Sequence, residues 1–384
     1  MSISTKAYVV EEKGAPFVLR DVVLDGVRPD EVLVEMKYTG LCHTDIVVQH
    51  GGMPIGAYPA VLGHEGAGII QQVGSAVRNK SLKPGDQVFL SFRSCLECTT
   101  CLAGACGACA HMTEYNFVRS RLDPDKGKRS PISNPDGTPI HGQFFGQSSF
   151  SQRAIVSERS IVKCEVEPEA LAVLAPLGCG YLTGAGTVAN VLRPTARSTV
   201  AILGMGAVGI AALLAAKALG VTNIVGVDIV EAKLDLARSL GASHAIITSN
   251  TKQGQQDLVS AIHGYFPGGV DFILDTTGVP SVLQSSLGCL AHGGTLALVG
   301  AMPPDTQLNV NALDLLTGCK RIIGVIEAYS DPQEFIPQLV QWYKEGKFPI
   351  DQLVKVYPAA KLDEALDDLK AGRVIKPVLS WDEL

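Results

Sequence analysis

The run VAILGMGAVGIAALLAAKALG, Val200 to Gly220, limits the possible folds of this chain more than any other stretch. A short aliphatic run ends in Gly204, Gly206 and Gly209, and an all-round apolar stretch of helical composition follows. Glycines between a buried strand and a helix allow a tight turn and close approach of the backbone to a pyrophosphate, which the helix N-terminus then faces. The next strand-like run, NIVGVD, ends in Asp228, nineteen residues past the last glycine, where a carboxylate can bind a ribose 2′-hydroxyl. The competing explanation is that these glycines merely pack helix against strand in an α/β domain without a cofactor. Strand, helix and acid in register favour the dinucleotide. Asp228 would repel a 2′-phosphate, which favours NAD(H) over NADP(H), although Lys233, five residues on, would partly soften that repulsion. From Ser198 onward the same alternation continues through EAKLDLARSLG, HAIIT, GVDFILDTTG and GTLALVG. Continuous Val/Ile/Leu runs between helical segments predict a doubly wound parallel sheet.

That segment fills only the middle of 384 residues, a length that suits two domains, each burying its own core. Up to about Tyr181 the text consists of short apolar runs broken by Gly, Pro and Asp, as in EVLVEMKYTG and KPGDQVFLSF, and predicts a mostly β domain. After Gly324 come an amphipathic helix around Pro332 to Gly346, an extended VKVYPAA and a helix LDEALDDLKAG, a tail expected to pack on the first domain. The expected division is 1–183, 184–324 and 325–384. The polar, turn-rich segment Arg121 to Gly142 reads as a surface excursion.

A formal charge of −6 and the absence of a Lys/Arg run leave nothing to neutralise a phosphate backbone, so nucleic acid is excluded as a partner. No stretch approaches eighteen uninterrupted apolar residues, and MSISTKAYVVEEKG lacks the pattern of a secretory leader, so a cytoplasmic protein with no membrane partner is expected. In a reducing compartment closely spaced cysteines are more often metal ligands than disulfides.

Five of the ten cysteines crowd into SCLECTTCLAGACGAC, Ser94 to Cys109. Cys95, Cys98, Cys101 and Cys109 follow a C-x2-C-x2-C-x7-C spacing, with Cys106 unplaced. Four thiolates at about 2.3 Å close a tetrahedral zinc, which stabilises a loop and does no chemistry. An iron-sulfur cluster uses the same ligands and is the rival; a disulfide pair with free thiols is the weaker one. A second set is scattered: GLCHTD holds Cys42 to Asp45, LGHEGAG holds His64 and Glu65, and LGCGYLTGAG holds Cys179. Singly these are ordinary core residues. Two thiolates and an imidazole together make a zinc site with an open fourth position, which is the catalytic arrangement.

GLCHTD, GHEGAG, the four-cysteine loop, GCG and GMGAVG, in that order, resemble the zinc-containing medium-chain alcohol dehydrogenases over essentially the whole chain. GQSSF, PLGCGYLTGAG and IKPVLS look most like the aryl-alcohol, or benzyl-alcohol, branch. The resemblance implies an α/β two-domain fold, a GroES-like β-barrel catalytic domain plus a Rossmann coenzyme domain inserted before its C-terminal part, with the active site in the cleft. It implies two Zn2+ per subunit, the catalytic one on Cys42, His64 and Cys179, with Glu65 able to approach the metal and Asp45 orienting His64. Thr44 stands at the family's proton-relay hydroxyl, but the histidine that many relatives use next is Val47 here, and His50 is not assigned that role. His43 and Lys376 resemble cationic pyrophosphate contacts; Thr183, Val208 and Val299 resemble residues lining the nicotinamide pocket; Phe92, Phe144 and Phe145 fall in substrate-pocket segments. The implied reaction is hydride transfer between a primary aryl, allylic or secondary-metabolite alcohol, with its aldehyde, and NAD(P)(H). A glutathione-dependent formaldehyde or polyol dehydrogenase is the enzymatic alternative, and a redox or zinc-thiolate sensor the non-enzymatic one. Relatives are homodimers or homotetramers, and the edge of the nucleotide sheet is the expected seam.

Overall fold

The computed structural model describes residues 2–53, 55–122, 130–249, 252–382 and 384. The chain divides into two units, Met1–Cys179 with Asp331–Val340 and Ile350–Leu384, and Gly180–Ser330 with Gln341–Pro349.

The first unit is built from two sheets. A five-stranded sheet runs in the order Ala60–Val61, Ile3–Val10, Phe17–Leu24, Ile132–Ser133 and Pro139–Ile140. A seven-stranded sheet centres on Glu31–Gly40, whose mostly buried side chains reflect its antiparallel pairing with Gly66–Val73, Arg153–Ser157 and Lys376–Ser380. The last of these carries the C-terminal tail into this sheet, with Val378 opposite Gly40. The segment expected to lie on the surface starts otherwise. Arg121 is buried, its guanidinium on Glu31 (2.7 and 2.8 Å) and Asp25 (3.0 Å), because a buried charge requires opposite charges around it. Residues 132–140 of that segment form a hairpin on the five-stranded sheet, and 123–129 lie outside the described residues.

The second unit is one six-stranded parallel sheet in the order His244–Ile247, Asn223–Asp228, Thr199–Leu203, Val270–Asp275, Leu290–Leu298 and Arg321–Gly324. In chain order these are strands 3-2-1-4-5-6, the doubly wound arrangement in which ligands bind at the carboxyl ends where the order reverses. Gly204 and Asp228 stand at those ends. Leu203, Val225, Val227, Ile273 and Leu296 fill the core, and the helix Ala207–Ala218 is buried from Gly209 to Ala216, which explains its lack of a polar face. The helix Gly180–Gly186 belongs to this unit although the expected boundary lay at 183. A Cβ on Gly184 would stand 2.0 Å from the Val208 carbonyl, so only glycine lets the two helices approach so closely. Among the described residues no single helix is long and apolar enough to cross a membrane.

Candidate active site and cysteine cluster

Cys42 precedes the short helix His43–Gln49, and Asp45 in its first turn folds back on it. The backbone N–H of Cys42 donates to Asp45 Oδ2 (3.2 Å), while Gly63 N–H and His64 Nδ1 both donate to Oδ1 (3.0 Å each). Asp45 therefore fixes His64 as the tautomer whose free lone pair is on Nε2. Cys179 follows the turn Ala175–Gly178, where Ser91 Oγ donates to the Gly178 carbonyl (2.6 Å). A Cβ on Gly178 would stand 1.9 Å from the Leu90 carbonyl, so this close approach needs glycine. Ligand atoms of Cys42, His64, Glu65 and Cys179 all lie within 4.8 Å of one another.

These residues fit a divalent cation. His64 is fully buried and its Nε2 has no hydrogen-bond partner among the described residues, an orphan of a kind that native interiors rarely tolerate. The Cys42 thiol is held well below its ordinary value, first by its hydrogen bond with Cys179 and further by the charge of His64, against the effect of burial. Burial disfavours a charged His64, yet Asp45 and Cys42 outweigh it and raise its pKa. Glu65 Oε1 and Oε2 accept from Lys376 Nζ (2.9 and 2.7 Å), and that ammonium also donates to the Leu41 carbonyl (3.0 Å). Burial pushes the Glu65 carboxyl up, and Lys376 pulls it down less strongly.

Around His64 stands an aromatic wall. Phe145 stacks on the imidazole at 4.6 Å, Phe144 meets it edge-on at 5.4 Å, and Phe117 packs against both phenylalanines. Phe145 is held at φ +52°, a conformation that costs about 1–3 kcal/mol and persists only where surrounding packing enforces it. Phe92 is buried.

Cys95, Cys98, Cys101 and Cys109 place their sulfurs within 4.8 Å of one another, and none of the ten cysteines is in a disulfide. Leu96 at φ +63° turns the chain so that Glu97 and Cys98 N–H groups donate to Cys95 Sγ (3.5 and 3.2 Å), while Cys95 and His111 N–H groups donate to Cys109 Sγ (3.3 and 3.4 Å). Donors aimed at sulfur favour thiolates, the state that binds metal. Cys98 is lowered to about 5, first by the Thr100 hydroxyl, while burial pushes the Cys101 and Cys109 thiols up. Cys106 is buried beside this set but is not one of the four, and burial pushes its thiol up.

At the nucleotide end the three glycines have separate jobs. Gly204 adopts φ +92°; a Cβ on Gly209 would stand 1.8 Å from the Gly204 carbonyl; and a Cβ on Gly206 would meet nothing within 4 Å. The first makes the turn, the second packs helix on strand, and the third keeps open a cradle at the N-terminus of helix Ala207–Ala218 that a side chain would fill. This arrangement fits a dinucleotide. Asp228 Oδ2 accepts from Met205 N–H (2.7 Å), and Oδ1 accepts from Ile229 and Val230 N–H (2.8 and 3.0 Å), so the carboxylate is positioned by backbone alone. Lys233 is half-buried on the helix Glu231–Leu240. Val299 follows the strand Leu290–Leu298 and donates its N–H to the Asp275 carbonyl (3.0 Å). Thr183 adjoins Gly184, which packs on Val208, and its hydroxyl donates to Glu327 Oε2 (3.2 Å).

The profile of the alcohol dehydrogenase GroES-like domain matches residues 28–166, and that of the zinc-binding dehydrogenases matches 207–345. Geraniol dehydrogenase of Castellaniella defragrans is 40% identical over 377 residues, 98% of each chain. The chain belongs to the zinc-containing medium-chain alcohol dehydrogenases. Its first unit carries the GroES-like domain of this family and its second the Rossmann-type sheet. The crystal structure of benzyl alcohol dehydrogenase from Acinetobacter calcoaceticus superposes with a TM-score of 0.89 at 40% identity, covering 98% of this chain and 99% of that one. S-(hydroxymethyl)glutathione dehydrogenase of Paracoccus denitrificans is 32% identical over 98% of this chain and 100% of its own length.

In this dehydrogenase Thr44 is partly exposed in the first turn after Cys42, His43 is exposed, and Val47 is half-buried on the same helix. His50 is exposed and its ring nitrogen Nδ1 is bonded to the Ile46 carbonyl (2.9 Å). Lys376, expected at the pyrophosphate, is 3% exposed, with Nζ held by Glu65 and the Leu41 carbonyl. Sequence reasoning missed Phe117, which sits in the polar-looking MTEYNF. It also missed Gln147, whose amide donates to the His64 and Ser91 carbonyls (2.9 and 3.1 Å) and accepts from Gly66 N–H (3.1 Å). It missed Glu327 beneath Thr183, which opens a left-handed run with Ala328 and Tyr329 (φ +46°, +54° and +55°). Of these, only the aromatic Phe117 left a trace in the text.

Proposed function

We propose that this enzyme interconverts primary aryl or allylic alcohols and their aldehydes with NAD(H), using a catalytic zinc on Cys42, His64 and Cys179 and a structural zinc on Cys95, Cys98, Cys101 and Cys109. The observation that carries the first assignment is the buried, partnerless Nε2 of His64 between two cysteines, beneath an aromatic wall. Bound zinc supplies a Lewis acid that makes a hydroxyl oxygen acidic, and bound nicotinamide supplies the hydride acceptor. Asp45 holds the Nδ1 proton of His64 so that Nε2 stays directed at the metal position. Thr44 Oγ1 accepts and passes on the proton that leaves the alcohol. Val47 has no group to receive it, so the relay ends at solvent or coenzyme rather than at a side chain of that helix. Phe144, Phe145, Phe117 and Phe92 exclude water and suit a flat apolar substrate. Glu65, within 4.8 Å of the other three, is available to the metal during ligand exchange.

Asp228 supports NAD(H) over NADP(H), because a 2′-phosphate would meet a carboxylate fixed by three amides. Thr183, Val208 and Val299 are assigned to the nicotinamide side. Ten free thiols suit a reducing, cytoplasmic location. Leu313 and Leu316, 66% and 73% exposed on the helix preceding edge strand Arg321–Gly324, support a homodimer or homotetramer joined there. The 32% identity to S-(hydroxymethyl)glutathione dehydrogenase keeps that substrate as the second reading. Zinc quantitation with an NAD(H)/NADP(H) assay across aryl, allylic and aliphatic alcohols and S-hydroxymethylglutathione tests all of this. Two zincs per chain in the wild type and one, without turnover, in Cys42→Ser are expected; an active Cys42→Ser enzyme would sink the site assignment.

A further inference from the structure

A cavity of about 480 Å³ opens in the GroES-like unit, and none of the residues assigned above to metal, coenzyme or substrate lines it. Its wall carries five arginines, at 28, 78, 93, 121 and 159, against three carboxylates, Asp30, Glu31 and Glu158. Arg121 is matched by Glu31 and by Asp25 behind the wall. Glu158 accepts from Arg78 N–H (2.5 Å) and lies 3.9 Å from its guanidinium. Asp30 is exposed.

Arg93 is different. It is 1% exposed, and its terminal nitrogens reach only uncharged oxygens: the Ser120 carbonyl (3.3 Å), the Gln143 carbonyl and side chain (3.3 and 3.2 Å), and the Tyr115 carbonyl. Its Nε has no partner among the described residues. Arg159 beside it donates only to the Ser94 carbonyl (3.2 Å) and forms no ion pair among the described residues. A buried guanidinium with no carboxylate bonded to it is strongly unfavourable, and a second, half-buried one beside it adds to the cost. Guanidinium forks match carboxylate and phosphate oxygens.

We propose that this cavity binds one small oxyanion, a carboxylate or phosphate group, between Arg93 and Arg159. Arg93 lies two residues before Cys95, and Arg159 holds the Ser94 carbonyl, so a bound anion would also tie down the entry to the cysteine loop.

The test is calorimetric titration of the full-length, zinc-loaded enzyme saturated with NADH, which keeps the pyrophosphate cradle filled. Inorganic phosphate and malonate are the probes, with chloride at matched ionic strength as the control, and melting temperature is followed in parallel. Saturable binding of one equivalent of phosphate or malonate is expected, with a rise in melting temperature that chloride does not give. Phosphate alone would identify a phosphoryl ligand, malonate alone a carboxylate. Arg159→Gln, at a half-buried position, should weaken binding about tenfold or more, while Arg238→Gln in the other unit should bind as wild type does. Absence of saturable binding for both probes, or equal binding by Arg159→Gln and wild type, would overturn the proposal.

Discussion

Replacing Lys376 with methionine separates two roles for this residue. In the structure its ammonium is 3% exposed and is spent on both oxygens of Glu65 and on the Leu41 carbonyl. Methionine is one atom shorter and uncharged, and leaves Glu65, itself fully buried, with the thiols of Cys42 and Cys179 within 4.8 Å and no cation bonded to it. Removing one partner of a buried ion pair costs about 3–5 kcal/mol because the remaining charge is stranded. Burial already pushes the Glu65 carboxyl up, so proton uptake gives the variant partial relief and places the cost toward the lower end. At about 2–4 °C per kcal/mol for a unit of this size, a cost of about 3 kcal/mol should lower the melting point by roughly 6–12 °C. The double variant Glu65→Gln with Lys376→Met removes both charges and should recover most of that loss. Urea unfolding of the zinc-loaded protein at neutral pH, with NADH affinity measured on the same samples at low and high salt, reads both quantities. If Lys376→Met unfolds within about 1 kcal/mol of wild type, as an exposed pair would, while NADH binding drops and loses salt dependence, the lysine serves the coenzyme and the reasoning from the buried pair is wrong.

Two glycines should behave oppositely. Gly206→Val should fold normally but lose coenzyme affinity, since a side chain there meets only the open cradle, whereas Gly209→Ala should lose stability, its Cβ being 1.8 Å from the Gly204 carbonyl; melting curves and NADH titration distinguish the two. Asp228→Ala should weaken NAD(H) more than NADP(H) and also lower the melting point, because three amides lose their acceptor; an equal loss for both coenzymes would count against the ribose assignment. Asp368 is held below its ordinary value first by the Tyr357 hydroxyl, then by Lys355 and Arg373. A lowered carboxylate contributes stability that is complete above its unfolded value, near 3.9, and fades as pH falls below it, so Asp368→Asn should flatten the acid side of a plot of urea midpoint against pH.

What could be read from the sequence was what the chain encodes locally. Gly204, Gly206 and Gly209 sit within six residues, and their spacing alone separates turn, cradle and packing contact. The four clustered cysteines lie within fifteen residues, so spacing constrains how their sulfurs meet. Cys42, His64 and Cys179 are another matter. No local rule brings them within 4.8 Å, and the match of GLCHTD, GHEGAG and GCG to a known family supplied what spacing could not. The close approach of Gly184 to the Val208 carbonyl spans more than twenty residues, so the packing of helix Gly180–Gly186 on helix Ala207–Ala218 has no local signature in the text.

Buried cations were the least legible feature, and they differ in what surrounds them. Lys376 and Glu65 are 311 positions apart, and Arg121 and Glu31 are 90 apart, so neither lysine nor arginine could be distinguished in the text from a solvated surface charge. Both turned out to be buried against carboxylates, which is how folded chains normally accommodate such groups. Arg93 is as deeply buried as either yet reaches only carbonyl and amide oxygens, and it shares its cavity with a second arginine, Arg159, that forms no ion pair among the described residues. If the fold supplied every buried charge with an internal partner, Arg93 should have one. Arg119 in the same unit also lacks a carboxylate but lies over the Tyr58 ring at 4.4 Å and donates to the Ile55 carbonyl, whereas Arg93 faces a cavity with Arg159, so the place for a counter-charge from outside the chain is at Arg93.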